Sequence, residues 1–109
     1  MRRELKERLL RKYPNCDWCM LPLLGDCDMH EWLVKRNVLP KDQRIFDERN
    51  CSLLHHGCHM EHGKTKAMQQ RLAEVFVGRY GKEAMLAFVD GLELKAPAKF
   101  HWLLFNVVV

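Results

Sequence analysis

Two short segments with the same internal spacing constrain this chain more than any other feature of the sequence. Two residues separate Cys16 from Cys19, and two residues separate His55 from Cys58. This spacing lets both side chains of a pair bind one ion from a tight turn, and two such turns complete a tetrahedron. The sequence therefore predicts a structural zinc site with three thiolates and one imidazole, joining two distant parts of the chain.

Other interpretations of these residues stay open at the level of sequence. His56 or Cys51 competes with His55 for one ligand position, and only the spacing selects His55. The cysteines can also be small buried residues, or the first Cys-x-x-Cys can be a redox pair. A redox pair is expected beside a βαβ pattern, which this sequence lacks, so metal binding is favoured. Cys27 and Cys51 are then left over, and we expect them to pack in the core.

The length of the chain agrees with one small domain over residues 1–109. A core of this size stabilises a fold only modestly, so a bound metal would add to its stability. The pattern divides the chain into a basic N-terminal helix (1–15), a metal-binding unit (16–66) and a helical C-terminal extension (67–109). The formal net charge of +4 permits nucleic-acid binding without requiring it.

The predicted elements alternate between helix and strand, which indicates an α+β fold. Apolar residues at helical spacing predict a helix over residues 2–12. Strand character is found at 27–34, and a second short strand pair is predicted from Ile45–Phe46 and 51–54. The rest is predicted to be helical: from about residue 59 to Tyr80, from 82 to 91, and after Pro97.

The N-terminal residues carry many charges and have no apolar segment like that of a signal peptide. No stretch approaches the roughly 18–20 apolar residues of a membrane span. We therefore expect a cytoplasmic protein without a membrane partner, in a compartment where thiols stay reduced.

Several residues between and after the two metal-binding pairs have the chemistry that phosphodiester hydrolysis requires. That reaction needs a base to activate water and a cation to stabilise charge on the phosphate. A histidine has a pKa near neutral pH and suits the first role, while imidazole and oxygen ligands with open positions suit the second. The residues of these types are Asp28, His30, Glu31, Asn50 and His59.

Together, Cys16-x-x-Cys19, Asp28-Met29-His30-Glu31, Asn50 and His55-x-x-Cys58-His59 resemble the HNH endonuclease family. The resemblance covers residues 16–66, and the spacing from Asn50 to His59 is its most specific part. It implies a small ββα-metal unit, in which two antiparallel strands and a helix surround one catalytic metal. A Cys3His zinc ribbon would belong to this unit, with an N-terminal helix and C-terminal helices flanking it.

The resemblance also implies roles for individual residues. His59 matches the metal ligand on the helix, and Asn50 matches the central asparagine, which either positions the backbone or reaches the metal. The family usually shows a ligand followed directly by the base, whereas this chain shows Met29-His30-Glu31. His30 is then either the base, or a ligand with Glu31 as base or second ligand. Asp28 is a further candidate ligand of the same cation.

The expected function is metal-dependent DNA cleavage, with Mg²⁺, Mn²⁺, Ni²⁺ or Zn²⁺ as the catalytic cation. If a phage encodes the chain, the compartment is the host cytoplasm. His62 is a candidate phosphate contact or a support for the site. Basic residues that can contact the DNA backbone, or equally form solvated surface, are Arg2, Arg3, Lys35, Arg36 and Lys64.

Two other functions remain as alternatives. The first is a zinc-ribbon module without catalytic activity that binds nucleic acid or protein, and the departure at Met29-His30-Glu31 is its main support. The second is a thiol oxidoreductase. The C-terminal helices are expected either to cover the ββα unit or to present a surface to a protein partner.

Overall fold

Two five-residue strands form the centre of the fold. The computed structural model describes residues 2–25, 27–35 and 43–108. In it, β1 (Cys27–Glu31) pairs antiparallel with β2 (Cys51–His55), so that Cys27 lies opposite His55. The described helices are α1 (Arg2–Lys12), α2 (His56–His62), α3 (Lys66–Tyr80), α4 (Lys82–Gly91) and α5 (Ala98–Phe105). The predicted α+β class is confirmed.

The segment before β2 differs from the sequence prediction. Ile45 and Phe46 were expected in a strand, but they belong to a 3-10 helix, Gln43–Phe46, and a second one follows at Glu48–Asn50. The Asn50 side chain donates to the Ile45 carbonyl at 3.0 Å. The Ile45 carbonyl thus accepts a hydrogen bond from a side chain and not from a neighbouring strand. The prediction of a strand at 45–46 was therefore wrong.

A buried tryptophan joins the sheet to the C-terminal helices. Trp32 is 2% exposed, and its ring centroid lies 5.4 Å from that of Phe76 on α3 and 6.0 Å from that of Phe100 on α5. Met68, Leu72 and Phe76 of α3 are fully buried, as their helical spacing predicts. Buried residues of α1, the sheet and α3 to α5 form one hydrophobic cluster.

The N-terminal helix packs its apolar side inward and its charged side outward. Leu5 and Leu9 are buried, whereas Arg2 and Arg3 are exposed. At its C-terminal end, Lys12 Nζ lies 2.8 Å from Glu48 Oε1. This surface ion pair adds little stability, so the buried leucines account for most of the docking of α1.

The described helices are too short or too polar to cross a membrane.

Asn50 connects the backbone that follows β1 with the backbone that precedes β2. Its Oδ1 accepts hydrogen bonds from the backbone N–H groups of Leu33 and Val34, at 2.9 and 2.8 Å. Its Nδ2 donates to the carbonyls of Val34 and Ile45. The side chain is fully buried, and the four bonds satisfy backbone groups that no strand partner reaches.

We predict that Asn50→Ala lowers the free energy of unfolding by about 2–4 kcal/mol, because several buried backbone groups lose their partner. Denaturant titration in excess Zn²⁺ measures this difference. Asn106→Ala is the matched control, since Asn106 is exposed. An Asn50→Ala protein as stable as the control would contradict the assigned role.

Candidate metal centre and the adjoining histidine pair

The sulfur atoms of Cys16, Cys19 and Cys58 converge with a ring nitrogen of His55. The four ligand atoms all lie within 4.8 Å of one another. Zinc bonds of about 2.0–2.3 Å at tetrahedral angles separate such ligand atoms by roughly 3.4–3.8 Å, so a small adjustment closes the site. The predicted Cys3His group is confirmed as a set of residues that can hold a metal ion.

The first cysteine pair lies in a tight turn. The N–H of Cys16 donates to the Leu21 carbonyl, and the N–H of Met20 donates to the Cys16 carbonyl, both at 2.9 Å. Met20 has a φ of 66°, the left-handed conformation that lets the chain reverse directly after Cys19. The turn thereby presents both sulfur atoms on one side.

His55 is oriented by a contact on the far side of its ring. Its Nε2 lies 3.0 Å from the Pro22 carbonyl oxygen, which can only accept a hydrogen bond, so Nε2 carries the proton. The lone pair is then on Nδ1, which faces Cys19 Sγ at 3.2 Å. A backbone carbonyl behind a ligating histidine is the usual way in which a protein fixes the metal-binding tautomer.

The competing candidates for this ligand position have other contacts. His56 Nδ1 lies 2.9 Å from Asp28 Oδ2, and Cys51 Sγ lies 3.1 Å from the Ile45 carbonyl. The selection of His55 by its spacing is therefore confirmed. Cys27 and Cys51 are buried, as predicted for cysteines outside the site.

Two of the clustered thiols have pKa values shifted in opposite directions. Burial raises the pKa of Cys16, but backbone N–H groups, that of Cys19 first, outweigh burial and lower it to about 7. Burial and the negative charge of Cys16 raise the pKa of Cys58 to about 12. A Zn²⁺ ion between the sulfur atoms would supply positive charge that favours their thiolate forms.

A buried carboxylate ties this turn to the rest of the fold. Asp17 accepts hydrogen bonds from Ser52 Oγ at 2.8 Å and from Arg79 Nη2 at 2.6 Å. Its own N–H donates to the Leu53 carbonyl. Burial raises the pKa of Asp17, although the Arg79 charge opposes the shift. Sequence reasoning missed this residue, because its partners become neighbours only in the fold.

Next to the cysteine cluster, a histidine on β1 faces a histidine on α2. His30 Nδ1 lies 3.2 Å from His59 Nε2. Alternation along β1 points Asp28 and His30 to the same side, while Met29 is buried on the other. β1 and α2 therefore bring together the two histidines that the sequence analysis assigned to one catalytic site.

Asp28 does not lie where a direct ligand of an ion shared by His30 and His59 is expected. Its Oδ2 is 2.7 Å from His59 Nδ1, the nitrogen opposite the one that faces His30. The same oxygen contacts His56. Within the described ranges, only the Cys3His group places three or more ligand atoms within 4.8 Å of one another. In this geometry the Asp28 carboxylate supports the His59 ring from behind, and its role as a metal ligand stays a prediction.

The environment of His30 keeps its ring neutral. Burial, followed by repulsion from His59 and Lys35, lowers the pKa of His30 to about 4. Asp28 accepts a hydrogen bond from Nδ1–H of His59, so Nε2 is the ring nitrogen directed at His30. A neutral His30 ring, with Nδ1 aimed at the same place as His59 Nε2, is a donor suited to a divalent cation.

The histidine pair lines an open groove of about 910 Å³. Glu31 lines the same groove, and Lys35 and Lys64 add two exposed positive charges to it. Gly63 forms part of the wall against His59. A Cβ built on Gly63 would lie 2.8 Å from His59 Cδ2 and 2.4 Å from its carbonyl oxygen. The groove thus depends on a glycine that sequence reasoning did not single out.

The other sequence-predicted residues lie away from the histidine pair. Asn50 has the backbone-positioning role, because its amide is bound to backbone groups. His62 stacks on Trp18 with ring centroids 4.4 Å apart and does not line the groove. Arg2 and Arg3 are exposed on α1, outside the groove lining. Position 36 lies outside the described residues, so the predicted Arg36 contact stays a prediction.

Comparisons of the chain with protein-family models, with curated proteins and with solved structures find no significant match.

We predict that the purified chain contains one zinc ion and that Cys19→Ala loses it, because three remaining ligands bind zinc far more weakly. Elemental analysis of the dialysed protein measures the zinc, and thermal unfolding should show a lower midpoint for the variant. Cys51→Ala is the control and should keep its zinc. Full zinc occupancy in Cys19→Ala would contradict the ligand assignment.

Proposed function

We propose that this chain is a metal-dependent DNA endonuclease of the HNH type. The observation that carries the proposal is the contact between His30 Nδ1 and His59 Nε2 in a groove lined by two lysines and two glutamates. In this proposal β1, β2 and α2 are the ββα-metal unit. The Cys3His group is its structural zinc site, because four protein ligands leave no position for a substrate.

The distance between the two nitrogens suits a shared ion. With metal–nitrogen bonds of about 2.1 Å, two nitrogens are roughly 3.0 Å apart at 90° and about 3.4 Å apart at the tetrahedral angle. The observed 3.2 Å lies between these values. His30 and His59 would then be the protein ligands, and the remaining coordination positions would be open to water and phosphate oxygens.

Each further residue has a chemical task in this proposal. A bound divalent cation would stabilise negative charge on the phosphate and lower the pKa of water. Asp28 holds the His59 ring so that Nε2 stays directed into the groove. Lys35 and Lys64 hold backbone phosphates. Glu31 follows His30 but lies on the buried Met29 side of β1 and is 9% exposed, so its carboxylate would have to turn toward the groove to accept a proton from the attacking water.

One observation favours a second candidate, a zinc-ribbon module that binds nucleic acid without cleaving it. The described residues supply two nitrogens at the groove, and the nearby carboxylate of Asp28 contacts the far side of His59. A pair of imidazoles binds a cation less tightly than a set of three or four ligands. A cleavage assay separates the two candidates.

We predict that the protein nicks supercoiled plasmid with Mg²⁺, Mn²⁺ or Ni²⁺, and that His30→Ala and His59→Ala lower the rate by about 100-fold or more. Gel electrophoresis of plasmid forms measures the rate, and zinc content verifies the fold. His101→Gln is the matched control, because His101 lies on α5, paired with Asp90 and outside the groove. Absence of nicking with every cation would favour the binding module.

Alanine substitutions at two glycines of the α2 region give a second test of the role of His59. Gly63→Ala should lower the nicking rate at least about tenfold, because the added methyl displaces the His59 ring and its backbone. Gly57→Ala should be harmless, since its Cβ would meet no atom within 4 Å. Equal nicking rates for the two variants, at equal zinc content, would contradict the placement of His59 in the reaction.

A further inference from the structure

A second groove joins the histidine groove and differs from it in character. We propose that this second groove binds an unpaired stretch of DNA, so that the substrate carries a single-stranded segment beside the bond that is cut. The cleavage part of this inference rests on the proposed function, whereas the binding part does not. The second groove has a volume of about 860 Å³ and runs between α3 and α5.

The side chains around the second groove suit a nucleic-acid backbone. Three lysines line it, on the approach to α3, on α3 and on α5, together with two glutamines, Trp102 and Leu103, and none of the described residues in its lining is acidic. Neither Lys64 nor Lys66 forms an ion pair with another described residue. These charges are therefore available to phosphates. The three lysines are Lys64, Lys66 and Lys99.

Lys64 connects the two grooves, because it lines both of them. A strand with one phosphate at Lys64 can extend in one direction to His59. In the other direction it reaches Lys99 and Trp102. The two grooves thus meet at a shared lysine, and the second groove would position DNA relative to the histidine pair.

The exposed tryptophan indicates that the bound strand is unpaired. Trp102 is 64% exposed, whereas Trp32 is 2% exposed and Trp18 stacks on His62. Exposure of so large an apolar ring has a cost in water that a bound base would remove. Within a duplex each base is covered by its neighbours, so an aromatic side chain stacks only on an unpaired or terminal base.

Tryptophan fluorescence tests the inference without cleavage. The zinc-loaded protein, with no other divalent cation, is titrated with an oligothymidylate of about 12 nucleotides. We expect quenching of Trp102 and weaker competition from a blunt duplex of similar length. Trp102→Ala should lose the quenching and bind about 5-fold or more weakly, because one stacked base is lost. Trp18→Phe should retain both the quenching and the affinity.

A charge-reversal pair tests the path of the backbone. Lys99→Glu should weaken binding of the oligonucleotide, whereas Lys95→Glu, an equal change at an exposed lysine outside the groove, should have a much smaller effect. Equal effects of the two variants would overturn the assignment of this groove. So would a duplex that binds as tightly as the single strand, with Trp102→Ala unchanged.

The outcomes also separate this inference from the proposed function. Oligonucleotide binding that depends on Trp102, in a protein that never nicks DNA, supports the groove and removes the nuclease. Nicking that depends on His59, without quenching by single strands, supports the nuclease and removes the groove. Self-association that Trp102→Ala abolishes, without any nucleic-acid binding, would show the surface to be a protein interface and overturn the inference.

Discussion

The convergence of Cys16, Cys19, His55 and Cys58 is the constraint on which the rest of the site depends. His55 ends β2, and α2 begins at the next residue. Holding His55 against the first turn therefore fixes the point and the direction in which α2 leaves the sheet. His59, one helical turn further, is thereby directed toward β1. In a domain this small, a bound ion supplies stability that the hydrophobic core alone provides only in part.

Asp28 gives the histidine pair its orientation. One carboxylate oxygen contacts both His56 and His59 on α2, from a strand that also carries His30. Strand alternation makes this arrangement possible, because Asp28 and His30 lie two residues apart and point the same way. A carboxylate behind a histidine fixes its tautomer and raises its basicity as a ligand. His30 of the strand and His59 of the helix thus face each other.

Sequence reasoning predicted the features that depend on local spacing. Two intervening residues identified the Cys3His ligands, and helical periodicity identified the buried face of α3. Features that depend on distant neighbours were not predictable in this way. Nothing in the local sequence shows that Asp17 meets Arg79, or that Gly63 packs against the His59 ring. Periodicity also favoured a strand at 45–46, where the Asn50 amide instead binds the backbone.

A crystal structure with Mn²⁺, using anomalous scattering to distinguish Mn²⁺ from Zn²⁺, tests the central claim most directly. The claim is that one short segment holds a structural zinc and directs His59 to a second ion. We predict zinc at the Cys3His group and manganese bound to His30 Nδ1 and His59 Nε2. Saturating Mn²⁺ with no peak at the histidine pair, or with a peak on Asp28 alone, would contradict the claim.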